Sequence, residues 1–217
     1  MEKHVRPIYK NSEITKYHIN YQNELFVFYM TREMTENDAP TIVSYLEQFK
    51  PLLENRLDTY NENYPWFALH RQRDKSILNS PFKIVNSRRA KSNIFALEKN
   101  GYFEQSDLMI TVVKDKFYDE FPPEYIIGLL NSKLYYVWLR NRGKVKGDML
   151  ELYGKPLEEI PIKKPDETTA SGVARFVNEI IYHKTDEVLA MKSIDDLIYR
   201  LFDLSEKEIE IVEKYNA

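Results

Sequence analysis

Residues 83–106 read KIVNSRRAKSNIFALEKNGYFEQS, and this stretch decides the fold. Two short runs rich in β-branched and aromatic residues, Phe82–Asn86 and Asn93–Leu97, flank a polar loop. Asn100-Gly101 then supplies a turn toward a third run, Leu108–Val113. Short apolar runs bounded by turn residues read as strands. The loop between the first two holds Ser87, Arg88, Arg89, Lys91, Ser92 and Asn93, which offer donors to phosphate oxygens and base edges together. A sheet edge kept soluble by positive charge would use the same residues.

On either side the periodicity changes. Leu25–Met30 (LFVFYM) reads as a buried strand, and Thr41–Tyr60 as a helix with Ile42, Leu46, Phe49, Leu53 and Leu57 on one face. That stripe keeps its phase across Pro51, which predicts one kinked helix or two abutting helices. Pro123–Arg140 predicts an amphipathic helix carrying Ile126, Leu130, Leu134 and Val137, and Gly143 opens a basic loop. Pro161–Gly172 (PIKKPDETTASG) loses apolar periodicity and reads as a linker. Beyond it, Val173, Phe176, Val177, Ile180 and Ile181 mark a helix, and Leu197, Ile198, Leu201 and Phe202 a second. Ser205 and Glu208 form a capping-box signature before a last short helix with Ile209 and Val212. The expected fold is α+β: a mixed sheet with packed helices (residues 1–160), a linker (161–172) and a helical C-terminal section (173–217) packed on it.

The 217 residues, 43% hydrophobic, suffice for one sizeable core. No apolar run approaches a membrane span, and Met1–Lys10 has charges without the apolar core of a signal peptide, so a cytoplasmic location is expected. With no cysteine, disulfides, thiolate nucleophiles and Cys-type zinc sites are excluded. The net charge of -3 conceals a segregation of charge. Between His70 and Asn93 seven Lys or Arg stand against the single acid Asp74, and Lys133–Gly147 adds five more bases and no acid. From Asp166 onward acids outnumber bases two to one. A basic middle with an acidic end suits a phosphate-facing surface beside a solvated or partner-facing flank, and chance clustering of solvated charges would look similar.

Catalytic signatures are missing. The glycines are too dispersed for a nucleotide loop, and Gly143–Gly147 lacks P-loop spacing. Phe121-Pro122-Pro123-Glu124 has no side-chain acceptor at its first position to hold a target amino group, and reads as a helix start. Asp115, Asp119 and Glu120 lie beside a predicted helix start without the Glu-x-Lys partner of a nuclease site, and read as a solvated turn and helix-start charge. His4, His18, His70 and His183 show no ligand spacing, so neither a metal site nor a catalytic residue is expected. There is no G-x-S-x-G elbow.

Three segments point toward nucleic acid: Trp66–Arg73 (WFALHRQR), the loop within residues 83–106, and Gly128–Gly154, whose helix leads into a glycine-hinged basic loop. With Arg6–Ile14 (RPIYKNSEI), Leu46–Arg56 (LEQFKPLLENR), GYFEQSD and the run GLLNSKLYYVWLRNRGKVKGDMLELYGKPLEEIPI, they make the chain resemble the C-terminal specificity domain of TaqI-like adenine-N6 DNA methyltransferases and related type IIG restriction-modification enzymes. The closing stretch Ile194–Tyr215 resembles the end of such enzymes, which implies a longer parent. The resemblance implies double-stranded DNA as partner, and an upstream methyltransferase domain of the same polypeptide that carries S-adenosylmethionine and flips the adenine. No cofactor is then expected in this chain. The DNA-facing set is expected to be Arg71, Arg73, Arg88, Arg89, Lys91, Ser92, Asn93, Arg142, Lys144 and Lys146. Where the family's loop often has Pro-Gln, this sequence has Asn86-Ser87, so base readers are not assigned individually. Two rival readings stand beside this one: a protein-interaction module whose acidic helical end docks a catalytic partner, and, ranked last, a nuclease.

Overall fold

The structure, a computed structural model, describes residues 2–22, 24–56, 64–70 and 72–215. Its strands are β1 (Val5–Tyr9), β2 (Leu25–Phe28), β3 (Lys83–Ser87), β4 (Arg89–Ala90), β5 (Phe95–Glu98), β6 (Phe103–Glu104), β7 (Leu108–Thr111), β8 (Lys144–Lys146) and β9 (Met149–Glu151). Its helices are α1 (Pro40–Leu46), α2 (Lys50–Glu54), α3 (Lys75–Leu78), α4 (Pro123–Asn131), α5 (Lys133–Arg142), α6 (Lys155–Glu158), α7 (Glu167–Ile181), α8 (Glu187–Leu201) and α9 (Glu206–Lys214). Among the described residues the strands form three small sheets, ordered β2-β1-β6, β5-β3-β7 and β4-β9-β8; β1 and β6 pair in parallel and the other strand pairs are antiparallel. The fold is α+β with a helical C-terminal section.

Central strand β3 is covered on both faces. Ile84, with Phe95 and Leu97 of β5, joins the main core under α4, while Val85, Ala96 and Leu108 pack with Tyr9 and Ile14 on the other side. Residues directly opposite across the β3–β5 ladder, such as Ile84 with Leu97 and Val85 with Ala96, point to one face, and the two clusters follow that alternation. The main core also takes in Leu129 and Leu139, and Val173, Val177, Ile180, Ile194 and Ile198 of the C-terminal helices. Sheet and helical section therefore share one core.

Several sequence-based expectations need correction. Leu25–Met30 is not a buried strand: β2 is a sheet edge, and Phe26 is 65% exposed. Of the two forms expected from Thr41 onward, the structure takes the second, two abutting helices, α1 and α2, joined by a 3-10 turn at Glu47–Phe49, with Pro51 in the first turn of α2, where its missing N–H costs nothing. Leu57 and Tyr60 lie outside the described residues. The linker is shorter than residues 161–172, because Asp166 caps α7 by accepting from Thr169 N at 2.8 Å and Glu167–Gly172 are already helical. The capping box at Ser205 and Glu208 is present.

The largest departure is at Ser132. The pattern predicted one helix from Pro123 to Arg140, but Ser132 is extended (φ -67, ψ 158) and divides it into α4 and α5. Neither proline nor glycine makes the break. Side chains from elsewhere satisfy the backbone groups that a helix end leaves open. Asn93 Nδ2 donates to Leu130 O (2.7 Å) and Ser132 O (2.9 Å), and Lys16 Nζ donates to Asn131 O (3.1 Å). On the far side, Ser132 Oγ accepts from Tyr135 N (3.3 Å) and Asp195 Oδ1 from Lys133 N (2.8 Å). Asn131 meanwhile pairs its amide with both the N–H and the C=O of Phe95, like a further strand beside β5.

A second buried polar group joins the first two sheets. Lys83 Nζ, wholly buried, pairs with Glu98 at 3.0 Å and lies 3.9 Å from Glu104. Burial pushes the Glu104 carboxyl up, against the pull of Lys83 and Arg73. Removing one partner of such a network costs about 3–5 kcal/mol, because the other charge is left uncompensated. Among the described residues, no helix is long and apolar enough to cross a membrane.

Asp195 generates a pH test. Burial raises its carboxyl from the ordinary 3.8 to about 6, although the Lys133 N–H and the nearby charges of Lys133 and Lys16 favour ionisation. The fold therefore prefers the protonated form, so this group's contribution to stability is full below about pH 3.8 and is lost as pH rises through about 6. Asp195→Asn keeps an oxygen for the Lys133 N–H and removes the charge. Its melting temperature is expected to exceed the parent's at neutral pH, by the equivalent of about 1–2 kcal/mol, with the gap closing toward pH 4. A gap that stays constant from pH 4 to 8 would remove ionisation as the cause.

Candidate nucleic-acid interface

The basic loop predicted after Gly143 is a β-hairpin. Lys146 pairs with Met149 across Gly147-Asp148, and Gly147 takes φ +64, as the first central position of a two-residue II′ turn requires. Its second strand, β9, also pairs with β4, so Arg89 and Lys144 both lie opposite Glu151 while Ala90 and Val145 lie opposite Leu150. The pleat sorts them. Leu150 and Ala90 face the core, whereas Arg89, Lys144 and Lys146 share the outward face. Asn86, fully buried, secures the hairpin to β3 by donating to Leu152 O at 2.9 Å, and Leu152 N donates to Arg88 O at 2.8 Å.

Glu151 organises this face. Its Oε1 lies 3.2 Å from Arg89 Nη2 and its Oε2 2.6 Å from Lys144 Nζ, with only 3% of the side chain exposed. The hydrogen bond from Lys144, then the surrounding positive charge, holds its carboxyl below the usual range. Lys144 is correspondingly raised by its hydrogen bond to Glu151, and Arg89 by its hydrogen bond to Tyr153 ahead of the charge of Glu151. One carboxylate thus spaces two cations and leaves both reaching outward. Lys91 pairs with Asp148 at 3.4 Å, both well exposed, a contact too weak to resist a competing phosphate. Arg140 donates to Asp148 O at 3.2 Å, steadying the turn.

The structure therefore brings Arg88, Arg89, Lys91, Lys144 and Lys146 to one small sheet and its edge, although about 50 residues separate the two groups. Arg142 is exposed on the last turn of α5 just before the hairpin. Ser92 is half-buried at the same edge, donating to Asn93 Oδ1 at 3.1 Å. Two expected members do not belong. Asn93 is fully buried, with its amide spent on the carbonyls at the Ser132 break. Arg73 is a clamp between sheets: it donates to Leu108 O (2.7 Å) and Gln105 O (3.3 Å) and pairs with Glu104 at 3.4 Å. Arg71 lies outside the described residues. Sequence reasoning missed Glu151, Asp148 and Arg140. The signal was available in Lys144–Glu151 (KVKGDMLE), where a Gly-Asp pair between alternating residues marks a hairpin.

The scaffold is α+β and presents a cationic three-stranded edge, with its acids buried between the cations or at the hairpin tip. The chain belongs to the family of TaqI-like C-terminal specificity domains, whose model matches residues 6–162. It is also similar to the type II methyltransferase M.HincII of Haemophilus influenzae, 28% identical over 148 residues, covering 61% of this chain and 28% of that protein. Against the type II methyltransferase M.HindII of Haemophilus influenzae strain KW20 / Rd, identity is 29% over 136 residues, covering 58% and 25%. The matched stretch spans about a quarter of the length of these relatives.

Asn93→Ala separates the two roles assigned above. Loss of the amide strands two buried carbonyls, so equilibrium denaturation is expected to show a loss of about 2–4 kcal/mol. Lys91→Ala is expected to stay within about 0.5 kcal/mol of the parent. Equal, small effects would return Asn93 to the surface set.

Proposed function

We propose that this chain is the double-stranded DNA target-recognition module of an adenine-specific DNA methyltransferase or fused restriction-modification enzyme, and that it performs no bond chemistry itself. The observation that carries the reading is the convergence of Arg88, Arg89 and Lys91 with Lys144 and Lys146 around the buried Glu151. Family membership and the two methyltransferase relatives support it. A two-stranded ribbon such as β8–β9 is of a size that the major groove, about 12 Å wide, admits. In this reading Lys144, Lys146 and Arg142 hold phosphates, and Arg88 and Arg89 reach base edges, where a guanidinium pairs bidentately with guanine. Ser92 adds a hydroxyl oxygen beside them, free to accept, and Arg71 stays in the proposal on charge alone. In this reading S-adenosylmethionine belongs to a methyltransferase domain of the same polypeptide, which flips the adenine while this module grips the duplex. A cytoplasmic setting suits that role.

The test is selection of duplexes from a randomised pool, followed by anisotropy titrations of the winners at several salt concentrations. An enriched short motif with salt-dependent affinity is expected. Lys144→Ala with Lys146→Ala should lower the slope of log affinity against log salt by roughly 1.8, about 0.9 for each lost phosphate contact. Arg88→Ala should cost about 1–3 kcal/mol and relax preference at one position. An unchanged slope would take the hairpin out of the interface. Absence of binding even at low salt would favour the rival in which the acidic helical section docks a catalytic partner.

A further inference from the structure

The four histidines are scattered in sequence, and no metal site was expected from their spacing. Folding brings two of them face to face. The rings of His18 and His183 stack with centroids 4.8 Å apart and planes 3° from parallel. One carboxylate bridges their edges: Glu187 Oε1 lies 2.8 Å from His18 Nε2 and 3.6 Å from His183 Nδ1. His18 and Glu187 are separated by 169 residues of chain, so the group joins the amino-terminal turn to the α7–α8 corner.

We propose that His18, His183 and Glu187 bind one divalent transition cation, with zinc the best-suited occupant. Two imidazole nitrogens and a carboxylate oxygen are a donor set of borderline softness, typical of zinc sites that keep a fourth position for water. One ligand atom from each residue lies within 4.8 Å of the others. Tetrahedral zinc with bonds of about 2.0–2.1 Å separates its ligands by about 3.3–3.5 Å, a span that the two measured contacts bracket. A proton now joins the closest pair; a cation would replace it and draw in the second imidazole. Side-chain exposure of 16% for His18, 74% for His183 and 43% for Glu187 leaves a path for the ion and room for water.

The backbone fixes the points from which these side chains reach, and the exposed His183 ring turns out of the stack to meet the ion. His18 closes a tight turn with Thr15, which exchanges two hydrogen bonds with it, Thr15 N to His18 O at 3.0 Å and His18 N to Thr15 O at 3.2 Å. His183 ends α7 at φ +51, with its N–H on Ile180 O (3.0 Å) and the following N–H, of Lys184, on Glu179 O (2.8 Å). Glycine is the usual residue at this left-handed cap, and a side chain there is retained against an intrinsic backbone cost. Glu187 follows four residues later as the first residue of α8, while the neighbouring Asp186 is committed to capping that helix through Val188 N and Leu189 N. The ion would thus staple the amino-terminal turn to the helical section.

The test is calorimetric titration of the full chain, free of any affinity tag, with zinc chloride near neutral pH. One-to-one binding is expected, weakened roughly tenfold or more by His18→Ala and by His183→Ala and kept by His70→Ala. Because His183 and Glu187 are exposed enough to substitute without disturbing the core, His183→Ala and Glu187→Gln guard against a folding failure in the His18 variant. Zinc should also raise the melting temperature of the parent and not that of His183→Ala. Zinc binding of equal strength in parent and His183→Ala, or none up to millimolar metal, would overturn the site.

Discussion

The buried side chains around Ser132 set the direction of everything that follows in the chain. A continuous helix from Pro123 would satisfy its own backbone through this point; the observed break opens groups on both sides of it. Each such group, if buried without a partner, costs about 1–3 kcal/mol. Asn93, Lys16, Ser132 and Asp195 meet that demand from three distant parts of the chain. The redirected α5 then delivers residues 144–151 beside β4, where the basic hairpin completes a sheet. The same residues that look like surface donors in the sequence therefore build the surface instead of belonging to it.

Cations serve two separate purposes in this molecule. Lys83 is enclosed with Glu98 and Glu104, where low polarity makes pairing compulsory and removes it from any outside partner, and Arg73, partly exposed, is committed to Glu104 and to the carbonyls of Gln105 and Leu108. Arg89 and Lys144 share a buried carboxylate yet keep their own side chains half or more exposed. What separates the pairs is the depth of the cation, not of the acid. A cation at the surface can exchange part of its partner for a phosphate at little cost, whereas an enclosed one cannot. The placement of Glu151 under the hairpin also prevents two neighbouring cations from repelling each other before a polyanion arrives.

The α7–α8 unit connects to this arrangement by close approach. A β-carbon on Gly128 would lie 2.4 Å from Val173 Cγ1, so α4 and α7 meet at a distance that only glycine allows. That contact, with Gly172 lying under Leu197, brings Asp195 to the start of α5 and Glu187 to His18. The helical section is thus part of the scaffold that orients the basic face, and its acids have assigned structural partners as well as exposed ones.

The sequence by itself determined the strands at residues 83–111, the helical end with its capping box, the class of fold and the segments that hold the basic residues. Periodicity and cap chemistry are local, and local patterns survive without knowledge of neighbours. It also carried the family resemblance, which the matched model bears out over residues 6–162. Only the tertiary structure decided that helix Pro123–Arg140 breaks at Ser132, because the groups that stabilise the break come from Asn93 and Asp195. Only it separated Arg73 and Asn93 from Arg89 and Lys144, since burial and pairing depend on what packs above a residue and leave no trace in its type. The meeting of His18, His183 and Glu187 was hidden for the same reason: a cluster assembled across 169 residues has no spacing to read.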